Sequence, residues 1–329
     1  MLQEATLNDP FNEVADLQSK LRTIDVKAVS LDAGCFVGEV SNFALGDIKV
    51  EIVHTGPVLF IGAAREGRAG CLLLLEGAQG AHWDGRSVDP YDIALLEPGT
   101  FLAASHRDAC VYAFVSGSAA RTSCALLPAG DTACTRLAHV PVHRSSPQAH
   151  GRVAAIIRAA EQAAASAPDM LRGEEVQRSL FDATRQLFVP ARAKDQPRRL
   201  RSVARNRIVR EADAYLCANL MRPVYTAELC AAVGASASGL HEAFHAIFGI
   251  SPHRYLKIRR MSLVRAKLLS RSGPWHLVKA VALSYGFWHL GQFAQDYRAI
   301  YGESPSETLA RARWRNGDDA AENGVGHAG

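Results

Sequence analysis

The chain has 329 residues, of which 48% are hydrophobic, and a formal net charge of +4 at pH 7. That is material for about two domains of roughly 100–200 residues with packed cores, which excludes wholesale disorder. No apolar run approaches the roughly 20 residues that cross a bilayer, and the start MLQEATLNDP lacks the basic region of a signal peptide, so a soluble cytoplasmic protein with no membrane partner is expected. Seven cysteines, at 35, 71, 110, 124, 134, 217 and 230, form no CxxC pair and suit reduced, buried thiols better than disulfides or zinc ribbons. The charge is unevenly spread. Residues 1–200 carry 20 Lys and Arg against 23 Asp and Glu, whereas residues 201–315 carry 17 against 7. A basic module on a near-neutral body is what a polyanion binder needs, because phosphates attract it at long range and shed counterions on contact.

In chain order, residues 1–150 are expected to form a first domain, which from about Val29 to Gly117 reads as short strands broken by glycines. Ile48 to Ile52 alternates with period two, Cys71 to Leu75 is a buried-strand run, and Asp84-Gly85 and Pro98-Gly99 supply turns. The pattern predicts an antiparallel barrel or sandwich. His54, His82 and His106 are scattered with no HxH cluster, so no metal catalysis and no cofactor is expected there. Phe60, Trp83 and Trp288 could stack on a ligand but read better as core, and no effector-binding residue can be named. Residues 151–189 change to helix after a turn signal. After Pro168-Asp169, Val176, Leu180, Ala183 and Leu187 fall on one helical face, which serves either core packing or a dimer seam. The polar, basic stretch 190–205 predicts an interdomain linker, 206–315 an all-helical domain, and 316–329 a disordered tail.

The segment 224–309 contains an internal repeat. Leu229-Cys230-x3-Gly234 matches Val281-Ala282-x3-Gly286, and Leu240, Phe244, Ile247, Phe248, Gly249, Ser251 and Pro252 match Phe293, Tyr297, Ile300, Tyr301, Gly302, Ser304 and Pro305. Each unit predicts helix, turn, helix, glycine stop and a Ser-Pro restart, in which serine caps free N–H groups and proline needs no donor. Glu307, three residues after Ser304, completes a capping box. The second helix of each unit keeps its apolar residues on one face and leaves the other free for a major groove. In the first unit that face carries Ser236, Ser238, His241, Glu242 and His245; in the second, His289, Gln292, Gln295 and Arg298. Gln can bridge adenine N6 and N7, Arg can reach guanine or phosphate, and Glu can accept from cytosine N4.

Between the units, Ser251 to Arg271 predicts one continuous helix with Tyr255, Ile258, Met261 and Leu268 toward the cores. Arg254, Lys257, Arg259 and Arg260 are candidate phosphate contacts, with Arg265 and Lys267 also expected in solvent. Such a helix spans about 30 Å, near the roughly 34 Å of one DNA turn, so one chain could seat two recognition helices in successive major grooves of double-stranded DNA. A competing motif overlaps the first helix. His241-Glu242-Ala243-Phe244-His245 fits HExxH, the helical zinc-peptidase signature, although Gly249 and His253 each arrive one residue late per gap for its longer form.

At these residues the chain resembles the AraC/XylS family of bacterial transcription regulators, over roughly 205–313. The motifs are Gly286-Phe287, HLGQFAQDYRAIYGESPSETL from His289 and FHAIFGISPHRYLK from Phe244. GFWHLGQFA and AFHAIFGISP, and more loosely the segment from Gly38 to Gly56, are most similar to the ethanolamine-operon regulator subgroup. The resemblance implies an α+β protein: a cupin-like sensing domain that dimerises, followed by helices and the tandem helix-turn-helix domain. It implies a non-enzymatic homodimer that binds DNA under control of a small-molecule effector and activates transcription through RNA polymerase, with ethanolamine or a cobalamin as the candidate effector. The chain departs from the family where Ser238 replaces a common Arg, where Gly239 weakens the helix by about 1 kcal/mol, and where Glu242 puts negative charge toward DNA.

Overall fold

Alternating side chains sort the chain up to Arg144 into two antiparallel sheets facing each other. The computed structural model describes residues 5–30, 37–77, 79–120, 122, 140, 142–167, 171, 174–187, 196–222, 224–270 and 277–322. The larger sheet runs β1-β3-β4-β11-β6-β9-β12, with β1 Thr6–Phe11, β3 Gly38–Leu45, β4 Ile48–Thr55, β6 Arg68–Glu76, β9 Asp92–Leu96, β11 Cys110–Ser118 and β12 Val142–Arg144. The smaller runs β2-β5-β10-β7-β8, with β2 Ile24–Ser30, β5 Val58–Ala64, β7 His82–Trp83, β8 Arg86–Ser87 and β10 Leu102–His106. The sheets do not close on each other, so the expected barrel-or-sandwich resolves to an open sandwich. A short helix, α1 (Val14–Lys20), packs at its edge.

Both faces of each sheet are covered, which the period-two pattern of Ile48 to Ile52 did not reveal. Leu72, Leu74, Tyr112, Phe114, Phe60 and Trp83 meet between the sheets. On the far side of the large sheet, Val50, Ile52, Cys71, Leu73 and Val115 lie beneath α2 (Pro147–Ser166) and α3 (Glu174–Leu187). Leu180, Ala183 and Leu187 are buried in this same core, so the apolar stripe faces its own chain, and a dimer seam in this segment must use other faces. Glu51, in the interior, is 1% exposed; its carboxylate accepts from the backbone N–H of Arg22 and Thr23 and from the Thr23 hydroxyl. Burial raises its pKa against the pull of those hydrogen bonds.

The outer face of the small sheet carries helices. After α4 (Gln196–Ala218) come α5 (Thr226–Val233), α6 (Ala237–Phe248) and α7 (Pro252–Leu269), then α8 (Val278–Ser284), α9 (Leu290–Tyr301) and α10 (Pro305–Glu322). The first unit, α5–α6, buries Leu240, Ala243, Phe244 and Ile247 against α4, α7 and three sheet residues, Leu59, Ile61 and Ala103. The second, α8–α9, packs Phe293 and Tyr297 on Met261, Val264 and Leu268 of α7. Gly249 closes α6 in the left-handed region at φ 68°, and Gly302 closes α9 likewise. Ser251 then restarts the chain, its Oγ accepting from Arg254 N at 3.3 Å with Pro252 in the first turn.

Three expectations need correction. The stretch assigned to a linker at 190–205 is helical from Gln196, while 188–195 lie outside the described residues. The tail assigned to disorder at 316–329 continues α10 as far as Glu322, while 323–329 lie outside them. The connecting helix ends at Leu269 rather than Arg271. The proposed Pro168-Asp169 break also lies outside the described residues.

Candidate nucleic-acid interface

A twelve-residue amphipathic helix with its core side fixed has its opposite side fixed too. With Leu240, Phe244 and Ile247 buried, α6 exposes Ser238, His241, Glu242 and His245 along one strip. The His241 and His245 rings lie 4.5 Å apart, and Ser238 Oγ donates to Glu242 at 3.4 Å. Ser236 is exposed at the helix start, where its Oγ accepts from Gly239 N at 3.1 Å, so it serves as the N-cap as well as a candidate base reader. On α9, Phe293 and Tyr297 face inward while His289, Gln292, Gln295 and Arg298 are exposed. Arg298 reaches Glu307 at 3.4 Å, and Glu307 in turn closes the capping box, accepting from Ser304 N at 2.6 Å. Those bonds and the nearby Arg298 lower the Glu307 pKa.

Trp288, grouped from sequence with core aromatics, is 63% exposed immediately before the α9 N-cap. Its place outside the helix, ahead of the periodic apolar positions, was the available signal. Trp83 is fully buried, as its sequence context suggested.

The cations of α7 divide. Arg254 is exposed beside the restart. Lys257 is ion-paired with Asp296 of α9 at 2.5 Å, tying the connecting helix to the second recognition helix. Arg259 and Arg260, placed with the phosphate contacts from sequence, are both drawn inward. Arg259 points at Cys217 Sγ, 3.7 Å away, and Arg260 donates to the backbone carbonyl of Arg222. Arg265, expected in solvent, is buried: it holds Glu13 of the first domain and Glu303 at 2.8 Å, with the Tyr301 ring 4.5 Å from its guanidinium carbon. The eighteen residues of α7 span about 27 Å at 1.5 Å rise per residue.

The peptidase reading of HEAFH finds no support. His241, Glu242 and His245 stand on an open helix face, and no group of three metal-capable side chains forms among the described residues. No helix among them is long and apolar enough to cross a membrane.

A family described as a helix-turn-helix domain matches residues 229–311, from within α5 to within α10. A probable AraC family transcriptional regulator from Rhodopseudomonas palustris CGA009, of known crystal structure, is 43% identical over 32% of this chain and 96% of its own, with a TM-score of 0.31. Over its helix-turn-helix segment the chain is similar to AraC-type transcriptional regulators. Two curated relatives are similar to part of the chain. The probable thc operon regulatory protein of Rhodococcus erythropolis is 38% identical over 33% of this chain and 32% of its own length. The XylDLEGF operon transcriptional activator 1 of Pseudomonas putida is 34% identical over 30% and 29%. The chain thus spans about a third of the length of these two relatives, which are regulators, not enzymes. The family match takes in both exposed helix faces and leaves the sandwich outside it.

Proposed function

We propose that this protein is a sequence-specific DNA-binding transcriptional regulator, an activator, in which α6 and α9 enter two successive major grooves on one side of a duplex. The observation that carries the reading is the repeated pair of polar faces, Ser238/His241/Glu242/His245 and His289/Gln292/Gln295/Arg298, exposed on two helices joined by a single rigid α7. Arg254 and Lys257 are the phosphate contacts kept from the sequence-based set; Lys257 serves after exchanging Asp296 for a phosphate. The sandwich senses a small-molecule effector and supplies a homodimer interface, and the promoter-bound form recruits RNA polymerase. Its loose likeness to the ethanolamine-operon subgroup nominates ethanolamine or a cobalamin as effector. Selection from a randomised duplex pool with the full chain tests the DNA reading: the expected product is a bipartite motif with its halves about 10 base pairs apart. Recovery of no motif overturns it. For the effector, thermal shift is expected with ethanolamine or a cobalamin, and an unchanged melting temperature with both removes those candidates.

A further inference from the structure

The two recognition helices differ in charge. The exposed strip of α9 includes Arg298, whereas that of α6 offers Ser238, His241, Glu242 and His245, a carboxylate with no Lys or Arg. A carboxylate brought to a polyanion needs nearby cations to offset the repulsion. Beside α6 they come from the first domain. The β7–β8 hairpin turns through Asp84 and Gly85, both at positive φ, 50° and 73°, and its tip is pressed against the last turn of α6. A Cβ added at Gly85 would overlap the carbonyl oxygen of Ala246, one position beyond His245. The tip is also pinned from behind: Asp84 N donates to Ala103 O at 2.7 Å, and Ala103 N donates to the Asp84 carboxylate at 3.0 Å. Arg86 follows the tip and is exposed. Arg107, in the turn after β10, is also exposed, and its guanidinium lies 4.0 Å from where a Cβ on Gly249 would sit, at the C-terminal end of α6 that favours a cation.

We infer that the hairpin tip and the β10–β11 turn of the first domain form a third DNA-contacting surface, in which Arg86 and Arg107 meet backbone phosphates flanking the C-terminal half of α6. The inference rests on the DNA-binding reading above. Because the hairpin is already fastened to the recognition helix, the contact costs little ordering on binding. The sandwich then adds sequence-independent affinity where the first unit lacks it, and any shift of the small sheet changes that affinity directly.

The test uses the full chain and two duplexes, mixed-sequence DNA and the motif recovered by selection, titrated between 50 and about 300 mM salt. Each of Arg86→Ala and Arg107→Ala is expected to weaken both duplexes by the same factor and to lower the slope of log K against log salt by about 1, with about 2 for the double variant. Arg86→Lys is expected to keep the slope. Arg158→Ala removes an equal charge beside Glu76, against the large sheet on the far side of the sandwich, and is expected to leave the slope unchanged. An unchanged slope in the double variant, or tighter binding because the hairpin obstructs DNA, overturns the inference. Arg254→Ala separates the two readings: if it loses slope while the Arg86 and Arg107 variants do not, this inference alone falls. If none of them changes the slope and selection yields no motif, the DNA-binding reading falls as well.

Discussion

Asp84 is a carboxyl group buried in a hairpin turn, 7% exposed, and burial lifts its pKa from an ordinary 3.8 to about 7 despite the hydrogen bond from Ala103 N. Between those two values the folded chain holds a proton that the unfolded chain has released. This contribution therefore favours folding at low pH and is lost progressively as pH rises from about 4 to about 7. Asn keeps the acceptor and tolerates positive φ, so Asp84→Asn is expected to stabilise the protein above pH 7, by at most about 4 kcal/mol, with the gain shrinking toward pH 5. Urea denaturation at a series of pH values measures it. On α9, Gln295→Ala is expected to relax preference at one base pair by about 1–3 kcal/mol, whereas Arg254→Ala weakens all sequences alike. Binding to a panel of single-base operator variants separates these outcomes.

At the scale of elements, the caps are the exposed joints of the repeat. Ser251 satisfies one N–H at the start of α7, and Ser251→Ala is expected to cost about 1 kcal/mol, read as a drop in the denaturation midpoint at unchanged slope. Caps of this kind were legible in the sequence because they depend on neighbours within four residues. So were both helix-turn-helix units, whose glycine stops and apolar spacing agree with one another. What escaped were features set by distant parts of the chain. Arg259 and Arg265 look solvated when α7 is considered alone, yet the helix packs against both units and touches the first domain, where Glu13 lies 252 positions from Arg265. The basic stretch before Val203 resembled a linker in composition, although Arg, Leu, Gln and Ala are good helix formers, and from Gln196 they form α4. Period-two alternation located β4 but suggested one wet face, because the helices that cover the other face come a hundred residues later.

At the scale of the whole molecule, the first domain grips the DNA-binding helices at both units. Arg265, with its side chain 8% exposed, joins Glu13 to Glu303, and Arg311 bridges the same two acids at 3.4 and 2.7 Å. Arg265→Ala leaves those carboxylates facing each other without their principal partner and is expected to cost about 3–5 kcal/mol; a Met at the same place restores packing but not charge and recovers only part of it. Equilibrium unfolding of the two variants measures the difference. The other grip has a practical outcome. Leu59, Ile61 and Ala103 on the sandwich interlock with Phe244, Ile247 and Val209 in one seamless oily seam. Severing the chain ahead of α4 therefore strips a greasy plate bare on each half, and the excised helical portion should clump in light-scattering measurements at concentrations where the intact polypeptide stays dispersed.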